Sequence, residues 1–317
     1  MNLAVVILNW NQAAATIRCV EAVAAWTHVA SDIWVVDNAS QDGSRDLIPK
    51  QCPMAHVLAS DSNLGFAGGN NLALRRIMSS RADGVLLLNN DAVIAEDQVQ
   101  HLFSELETHP RLGVVGPLLD ERRGRSSPKG FAPAGPEQVF TAGGRDIARH
   151  LGTRHEEKAA DLPALIATHR LLDVDYVPGT VVLVRAEVFR SVGLFDEDYF
   201  FSGEMADFCR RASAQGYASA ICPRAWATHE PGGGARSTLY RYYTLRNRFL
   251  YIRKFHPARS GIYPSRCALF ACGWSAVGLA MASRALALGR PAEARAAWHA
   301  LRDGLAGRFG NRNALFL

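Results

Sequence analysis

The stretch Val85-Leu86-Leu87-Leu88-Asn89-Asn90-Asp91 decides how this chain reads. Four aliphatic residues follow the turn-forming pair Asp83-Gly84 and break, with no softening turn residue, into two amides and a carboxylate. A short continuous apolar run suits a strand covered on both faces, as in the parallel sheet of an α/β protein. Ligands of open α/β sheets bind beyond the carboxyl ends of such strands, which places Asn89, Asn90 and Asp91 where chemistry is expected. Helix capping explains the same residues as well when the stretch is taken alone, because Asn and Asp commonly close strand-to-helix junctions.

The pattern recurs along the N-terminal third. Leu3 to Leu8 is an apolar run that stops at Asn9-Trp10-Asn11, and Ala13 to Trp26 carries apolar residues at helical spacing. Ile33 to Val36 ends in Asp37-Asn38 and a loop rich in Ser, Asp and Gly. A weaker strand, His56 to Ala59, leads to Asn63-Leu64-Gly65-Phe66-Ala67-Gly68-Gly69-Asn70-Asn71. Its glycines permit close backbone approach at the start of a helix. A further helix, Glu96 to Glu107, and a strand, Leu112 to Val115, complete an alternation that predicts a mostly parallel sheet with helices on both faces. Polar clusters at three successive strand ends are what a nucleotide site at a sheet edge requires.

The second half is less regular. Gly116 to Leu172 reads as a surface excursion with a hairpin near Gly143-Gly144. Strands are expected at Asp173 to Val177, Val181 to Val184 and Ala218 to Cys222. A helix starting near Ser202 carries Glu204 and Asp207 on one face of its first turn; the alternative role for such acids is compensation of the helix dipole. His229 stands before a glycine run, where it serves as a metal or phosphate ligand or as a hydrogen-bonded loop residue.

With 317 residues, 48% of them hydrophobic, the chain is long enough to bury a full core. Its net charge of +5 is uneven, with Arg241, Arg246, Arg248, Arg253, Lys254 and Arg259 crowded into one stretch. Such a run suits an anionic partner or a solvated helix face. No helix-turn-helix, zinc-finger or ribonucleoprotein pattern accompanies it, so nucleic acid is not the expected partner. The six cysteines show neither a disulfide framework nor zinc spacing. The first residues lack a signal-peptide pattern, so a cytoplasmic location is expected. Cys267 to Ala282 holds sixteen uncharged residues, short for a membrane span and diluted by Gly273, Ser275 and Gly278. An in-plane membrane helix or a core helix is preferred over a crossing, and the basic and apolar C-terminus suits peripheral contact with an anionic inner-membrane surface. The division expected is 1–236 for the nucleotide-binding and catalytic part and 237–317 for a helical C-terminal appendage.

Taken in order, Val5 to Asn11, Val35 to Ser44, Asn63 to Asn71, Leu86 to Asp91, Val192 to Phe201 and Arg246-Asn247-Arg248 resemble the signatures of family 2 glycosyltransferases, particularly rhamnosyltransferase-like members that extend bacterial surface polysaccharides. The likeness covers about residues 3 to 256. It implies a GT-A type fold and an inverting transfer of sugar from a nucleoside-diphosphate-sugar to the hydroxyl of a saccharide or lipid-linked saccharide acceptor. By this resemblance Asn9, Asp37 and Asn38 line the base and ribose pocket, and the loop from Gly65 to Asn70 helps to hold the nucleotide, with Asn89 and Asn90 beside it. Asp91 answers to the metal-coordinating acid of the family's Asp-x-Asp motif, in which this chain has Asn89 at the first position. His229 answers to the histidine that completes the metal or diphosphate site. Manganese or magnesium is the implied ion, since a hard cation stabilises charge on the leaving diphosphate. The family's base is the second acid of a Glu-Asp pair, here replaced by Met205. The role then falls to Glu204, which is preferred, or to Asp207.

Two other readings compete. A dinucleotide-dependent oxidoreductase needs a glycine fingerprint after its first strand, and this chain has Asn9-Trp10-Asn11-Gln12 there. A catalytically silent nucleotide-sugar or glycan-binding protein of the same fold is the alternative that Asn89 and Met205 suggest.

Overall fold

The computed structural model describes residues 2–121, 139–141, 143–148, 166–229, 237–256 and 266–316. Strands β1 (Leu3–Asn9), β2 (Ser31–Asp37), β3 (His56–Ala59) and β4 (Gly84–Asn89) alternate with helices α1 (Ala13–Ala24), α2 (Ser44–Gln51) and α3 (Gly65–Ile77). They lie side by side in the order β3-β2-β1-β4, all parallel. The register aligns Asn9 with Asp37 and Leu8 with Asn89, so the three polar strand ends arrive at one edge.

Beyond β4 the sheet becomes mixed. The short strand β5 (Ala92–Ile94) follows Asp91 and precedes helix α4 (Glu96–Thr108) and strand β6 (Leu112–Glu121). Strands β7 (Val139–Thr141), β8 (Leu172–Asp173), β9 (Val181–Arg185) and β10 (Ala218–His229) complete it, with helices α5 (Ala186–Val192) and α6 (Glu204–Ala214) before β10. β9 inserts antiparallel between β4 and β6, while β6 and β10 run parallel. The mostly parallel expectation therefore holds for the first four strands, and the α/β class for the whole. The mixture arises because β9 enters the sheet beside the central β4 after a long excursion. Gly144 does not close a local hairpin: it bridges Tyr176. Part of the predicted excursion is regular, since β6 continues through Pro117 to Glu121; residues 122–138 and 149–165 lie outside the described ones.

Two apolar cores cover the faces of the sheet. One joins Val5, Ile7, Val35, Leu86 and Leu88 to α1 and α4; the other joins Val6, Val36, Leu87, Val182 and Val184 to α3, α5 and α6. The odd and even residues of β1 and β4 divide between them, as the period-two geometry of a strand dictates.

The C-terminal helices α7 (Ser237–Phe255), α8 (Arg266–Ala287) and α9 (Pro291–Ala306) share a third core that includes Phe200 and Ala206 from the segment before and within α6. That segment is unusual. Phe200 and Ser202 have φ of 61° and 69°, and Gly203 has 101°. Positive φ at a non-glycine residue costs about 1–3 kcal/mol and persists only where the surroundings enforce it. Two walls do so here. From α7, the guanidinium of Arg246 donates to the carbonyls of Asp198 at 2.9 Å and Tyr199 at 3.0 Å, and the Asn247 amide donates to those of Tyr199 at 2.9 Å and Phe201 at 2.8 Å. From α3, Asn71 donates to the Phe195 carbonyl and accepts from its N–H. At Gly65 (φ 71°) a Cβ would fall 2.2 Å from the Phe200 carbonyl oxygen, so only glycine fits.

The described part of the basic run is tied into the protein, while Arg259 lies outside the described residues. Arg246 and Arg248 are buried, Arg241 pairs with Glu293 at 2.5 Å, Arg253 donates to the Leu305 carbonyl, and Lys254 pairs with Asp196 and Asp207. Helix α8 contains a stretch, Cys267–Ala287, long and apolar enough to cross a membrane by length and composition. Trp274 and Ala285 on it are buried, whereas Leu269, Leu279 and Leu286 are at least half exposed.

Removing the Asn247 amide should leave carbonyls of the 199–202 turn unpaired in a buried setting. Asn247→Ala is expected to lower the unfolding free energy by about 2 kcal/mol, read by urea denaturation; a change within about 0.5 kcal/mol would show that the turn holds without this clamp.

Candidate active site

A cavity of about 180 Å³ opens beyond β4, lined among others by Asn89, Thr180, Glu204, Tyr240, Thr244 and Arg248. A second, of about 250 Å³, is more aromatic and shares Phe66, Phe201 and Tyr240 with the first; Trp10, Asn38, Asn63 and Gly65 form its other side.

The polar strand ends form a connected chain beneath this edge. Asn90 donates to the Thr16 hydroxyl at 2.9 Å, Thr16 donates to Asn9 Oδ1 at 2.7 Å, and Asn9 donates to Asp37 Oδ1 at 2.8 Å and to Ser40 Oγ at 3.0 Å. Asn9 and Asp37 are fully buried, and both amide hydrogens of Asn9 are engaged. Asn38 holds the glycine loop: it accepts from the Leu64 N–H at 2.8 Å and donates to the Gly65 carbonyl at 3.1 Å. Asn70 is turned back on its own helix, donating to the Phe66 carbonyl. Asn38 and Gly65 thus reach a cavity wall, while Asn9, Asp37, Asn70 and Asn90 set the frame behind it.

Asp91 does not cap a helix, because the chain passes from it into β5 and the N-cap of α4 is Ala95. β10 runs well past the predicted Cys222, through a bulge at Pro223 where ladder pairing shifts, and ends at His229. His229 pairs with Ala92 across the β5–β10 ladder, which puts its Nε2 3.3 Å from Asp91 Oδ1. These two residues, far apart in sequence, share one corner of the sheet edge. Among the described residues no third His, Cys, Asp or Glu joins them. One carboxylate and one imidazole fit an ion that takes its remaining ligands from a diphosphate, rather than a permanently caged metal. The buried Nδ1 of His229 has no hydrogen-bond partner.

Glu204 and Asp207 occupy the same turn of α6 and meet different fates. Asp207 is fully buried, accepts from Arg211 Nε at 2.7 Å and pairs with Lys254; it does not line the cavity. Glu204 is also buried but lines the cavity, and its Oε2 has no hydrogen-bond partner. Burial, with a smaller push from Asp207, raises its carboxyl to about 7. Met205 packs beside it against Gly179.

Some wall residues escape sequence reasoning. Tyr240, Thr244 and Arg248 recur every four residues on α7 and so share one face of it, which puts all three at the cavity. Tyr176 and Thr180 reach the cavity only through the long-range pairing of Tyr176 with Gly144 and of Asn89 with Thr180, which no local pattern announces.

Residues 4–130 match the model of the family described as Glycosyl transferase family 2. The low-salt glycan biosynthesis hexosyltransferase Agl10 of Haloferax volcanii is 27% identical over 221 residues, which are 68% of this chain and 65% of that protein. The N-acetylglucosaminyl-diphospho-decaprenol L-rhamnosyltransferase of Mycobacterium tuberculosis is 23% identical over 219 residues, 62% of this chain and 66% of that protein. The chain thus spans slightly under two thirds of the length of these relatives. In fold it is similar to GalNAc-T7, solved with UDP, GalNAc and Mn2+, with a TM-score of 0.62 at 16% identity over 80% of this chain and 48% of that one. Together with the strand order and the helices on both faces, these findings give the chain a GT-A-like fold whose residues 4–130 match the glycosyl transferase family 2 model.

Proposed function

We propose that the protein transfers a sugar, with inversion, from a nucleoside-diphosphate-sugar to a hydroxyl of a lipid-linked saccharide in cell-envelope polysaccharide synthesis. The observation that carries this reading is Glu204: a buried carboxylate whose Oε2 has no hydrogen-bond partner among the described residues, in a side chain that lines the same cavity as Asn89 and whose pKa burial raises to about 7. A general base works best when its pKa lies close to the operating pH. A silent binding module has no use for such a group, and the mere presence of Met205 removes no acid from the cavity.

In this reading the sugar donor lies along the edge of β1, β2 and β4. Asn38 and Gly65 face the nucleotide, and the buried Asn90–Thr16–Asn9–Asp37 chain keeps that edge rigid. Asp91 and His229 hold manganese or magnesium with the donor diphosphate; the ion supplies charge stabilisation for the leaving diphosphate. Similar proteins support the parts: GalNAc-T7 was solved with UDP, GalNAc and Mn2+, and the mycobacterial relative is named an N-acetylglucosaminyl-diphospho-decaprenol L-rhamnosyltransferase. Glu204 takes the proton of the acceptor hydroxyl as that oxygen attacks the anomeric carbon from the face opposite the diphosphate. Asp207, neutralised by Arg211 and Lys254, positions α6. The half-exposed leucines of α8 suit a location at the cytoplasmic membrane face, where such an acceptor resides.

Glu204→Gln should cut turnover about 10²–10⁴-fold while calorimetry with manganese and nucleoside diphosphate finds donor-product affinity unchanged; Asp207→Asn retaining less activity than Glu204→Gln would move the role of base one turn along. Asp91→Asn should raise the manganese concentration needed for half-maximal nucleotide binding by about tenfold or more, and an unchanged requirement would remove Asp91 from the ion.

The pH dependence follows from the raised Glu204 carboxyl. The base must be ionised, so turnover should climb with pH through about 7 and then level. Stability moves oppositely: between the ordinary glutamate value and about 7 the folded chain holds a proton that the unfolded chain has lost, so stability falls as pH rises through that window. Glu204→Gln removes this penalty and should melt above the wild type at pH about 8 and level with it at pH about 5; equal melting at both would show that burial leaves Glu204 unperturbed.

A further inference from the structure

Three residues that line the 180 Å³ cavity each hold a buried polar atom with no hydrogen-bond partner among the described residues: Glu204 Oε2, Thr244 Oγ1 and Arg248 Nε. The first is the proposed base. The other two lie one turn apart on α7, on the stripe that begins at Tyr240. Arg248 is 5% exposed, yet no carboxylate pairs with it among the described residues. Its only hydrogen bond there runs from a terminal guanidinium nitrogen to the Thr244 carbonyl. Its plane rests on Trp274, with the guanidinium carbon 4.2 Å from the ring centroid. The contrast with Arg246, two residues earlier, is informative. Arg246 spends its guanidinium on three backbone carbonyls and on Asn247. Arg248 is held by the Thr244 carbonyl and the Trp274 face, and its Nε has no partner among the described residues.

A buried guanidinium left without an anion is costly, and natural structures retain one where a ligand supplies the charge. The fork geometry of arginine matches phosphate, and a hydroxyl beside it adds a further donor. We propose that Thr244 and Arg248 form an anion subsite that takes the phosphate of the acceptor, a prenyl-diphosphate-linked saccharide. The inference rests on the glycosyltransferase reading and assigns its acceptor side.

Two observations favour the acceptor over the donor as the source of that phosphate. Asp91 and His229, at the β5–β10 corner, already offer a place for the donor diphosphate through a bound ion, and neither residue lines this cavity. Trp274, which supports Arg248, belongs to α8, the helix whose other residues Leu269, Leu279 and Leu286 are exposed. A lipid chain lying along that apolar helix would bring its phosphate towards Arg248, and the saccharide it carries towards Glu204. The burial that lowers the Arg248 guanidinium to about 10 leaves it charged at neutral pH and eager for a counter-ion.

The test is calorimetric binding to the full chain with farnesyl diphosphate, farnesol, and a nucleoside diphosphate with manganese as probes. Arg248→Met should weaken farnesyl diphosphate about tenfold or more and leave farnesol and the nucleoside diphosphate unchanged. Thr244→Val, which keeps the shape and drops the hydroxyl, should weaken farnesyl diphosphate by about threefold. If Arg248→Met does not fold, Arg248→Lys carries the comparison, since it keeps the charge and loses the fork. Loss of nucleoside diphosphate affinity in place of farnesyl diphosphate affinity would give the anion to the donor and overturn the assignment. Wild-type chain that ignores farnesyl diphosphate, or variants that bind it as the wild type does, would overturn it as well. Failure of the wild type to bind any nucleoside diphosphate is a separate result, and it would sink the glycosyltransferase reading itself.

Discussion

The fork that Arg246 and Asn247 drive into the carbonyls of residues 198–202 is the contact on which the rest of the site depends. The turn it holds carries two non-glycine residues at positive φ, a conformation each would leave if free. Gly65 closes on the same turn from the other side, and Asn71 pins its start. The outcome is that α6 begins at Glu204, with that side chain at the cavity wall rather than one residue earlier or later. Arg246 itself is fully buried, and its cost of desolvation is offset by charge-assisted bonds to carbonyls that no water would otherwise satisfy. The C-terminal helices are therefore part of the site's scaffold: α7 contributes both the clamp and the Tyr240–Thr244–Arg248 stripe.

Much of this was readable beforehand, and the reason is physical. An apolar run that breaks into polar residues without a turn has few places to go except the end of a buried strand. β1, β2 and β4 do this in register, so Asn9, Asp37 and Asn89 meet at one edge. The meeting of Asp91 with His229 was harder to read, because it depends on β10 running past Cys222 and through a bulge to pair with β5. Local propensity sees Pro223 as a strand breaker. Only the ladder with β6, which resumes at Trp226, shows that the strand continues.

The basic run shows where composition misleads. Six cations in one stretch suggest a charged surface, since a sequence does not reveal whether a guanidinium has a partner inside the protein. In the fold, Arg241, Arg246, Arg253 and Lys254 each meet an internal acceptor. Part of their charge is thus spent inside the protein; Arg259, the sixth, lies outside the described residues. Arg248 differs in that only a terminal nitrogen is engaged, by the Thr244 carbonyl, while the residue lines the cavity with Tyr240 and Thr244 of the same helix face.

Glu204 and Asp207 make the same point at closer range. They sit three residues apart in the first turn of one helix, both buried, and helical spacing puts them on one face. Asp207 has two cations within reach and becomes a fixed part of the packing. Glu204 has none, so desolvation governs it and lifts its carboxyl to about 7. Losing the family's second acid to Met205 therefore need not remove the chemistry. In the proposed mechanism a different carboxylate, Glu204, stands at the cavity wall, raised by burial beside Met205, which is itself 3% exposed. In that mechanism the acid missing at Met205 is supplied by its neighbour Glu204, within the first turn of α6.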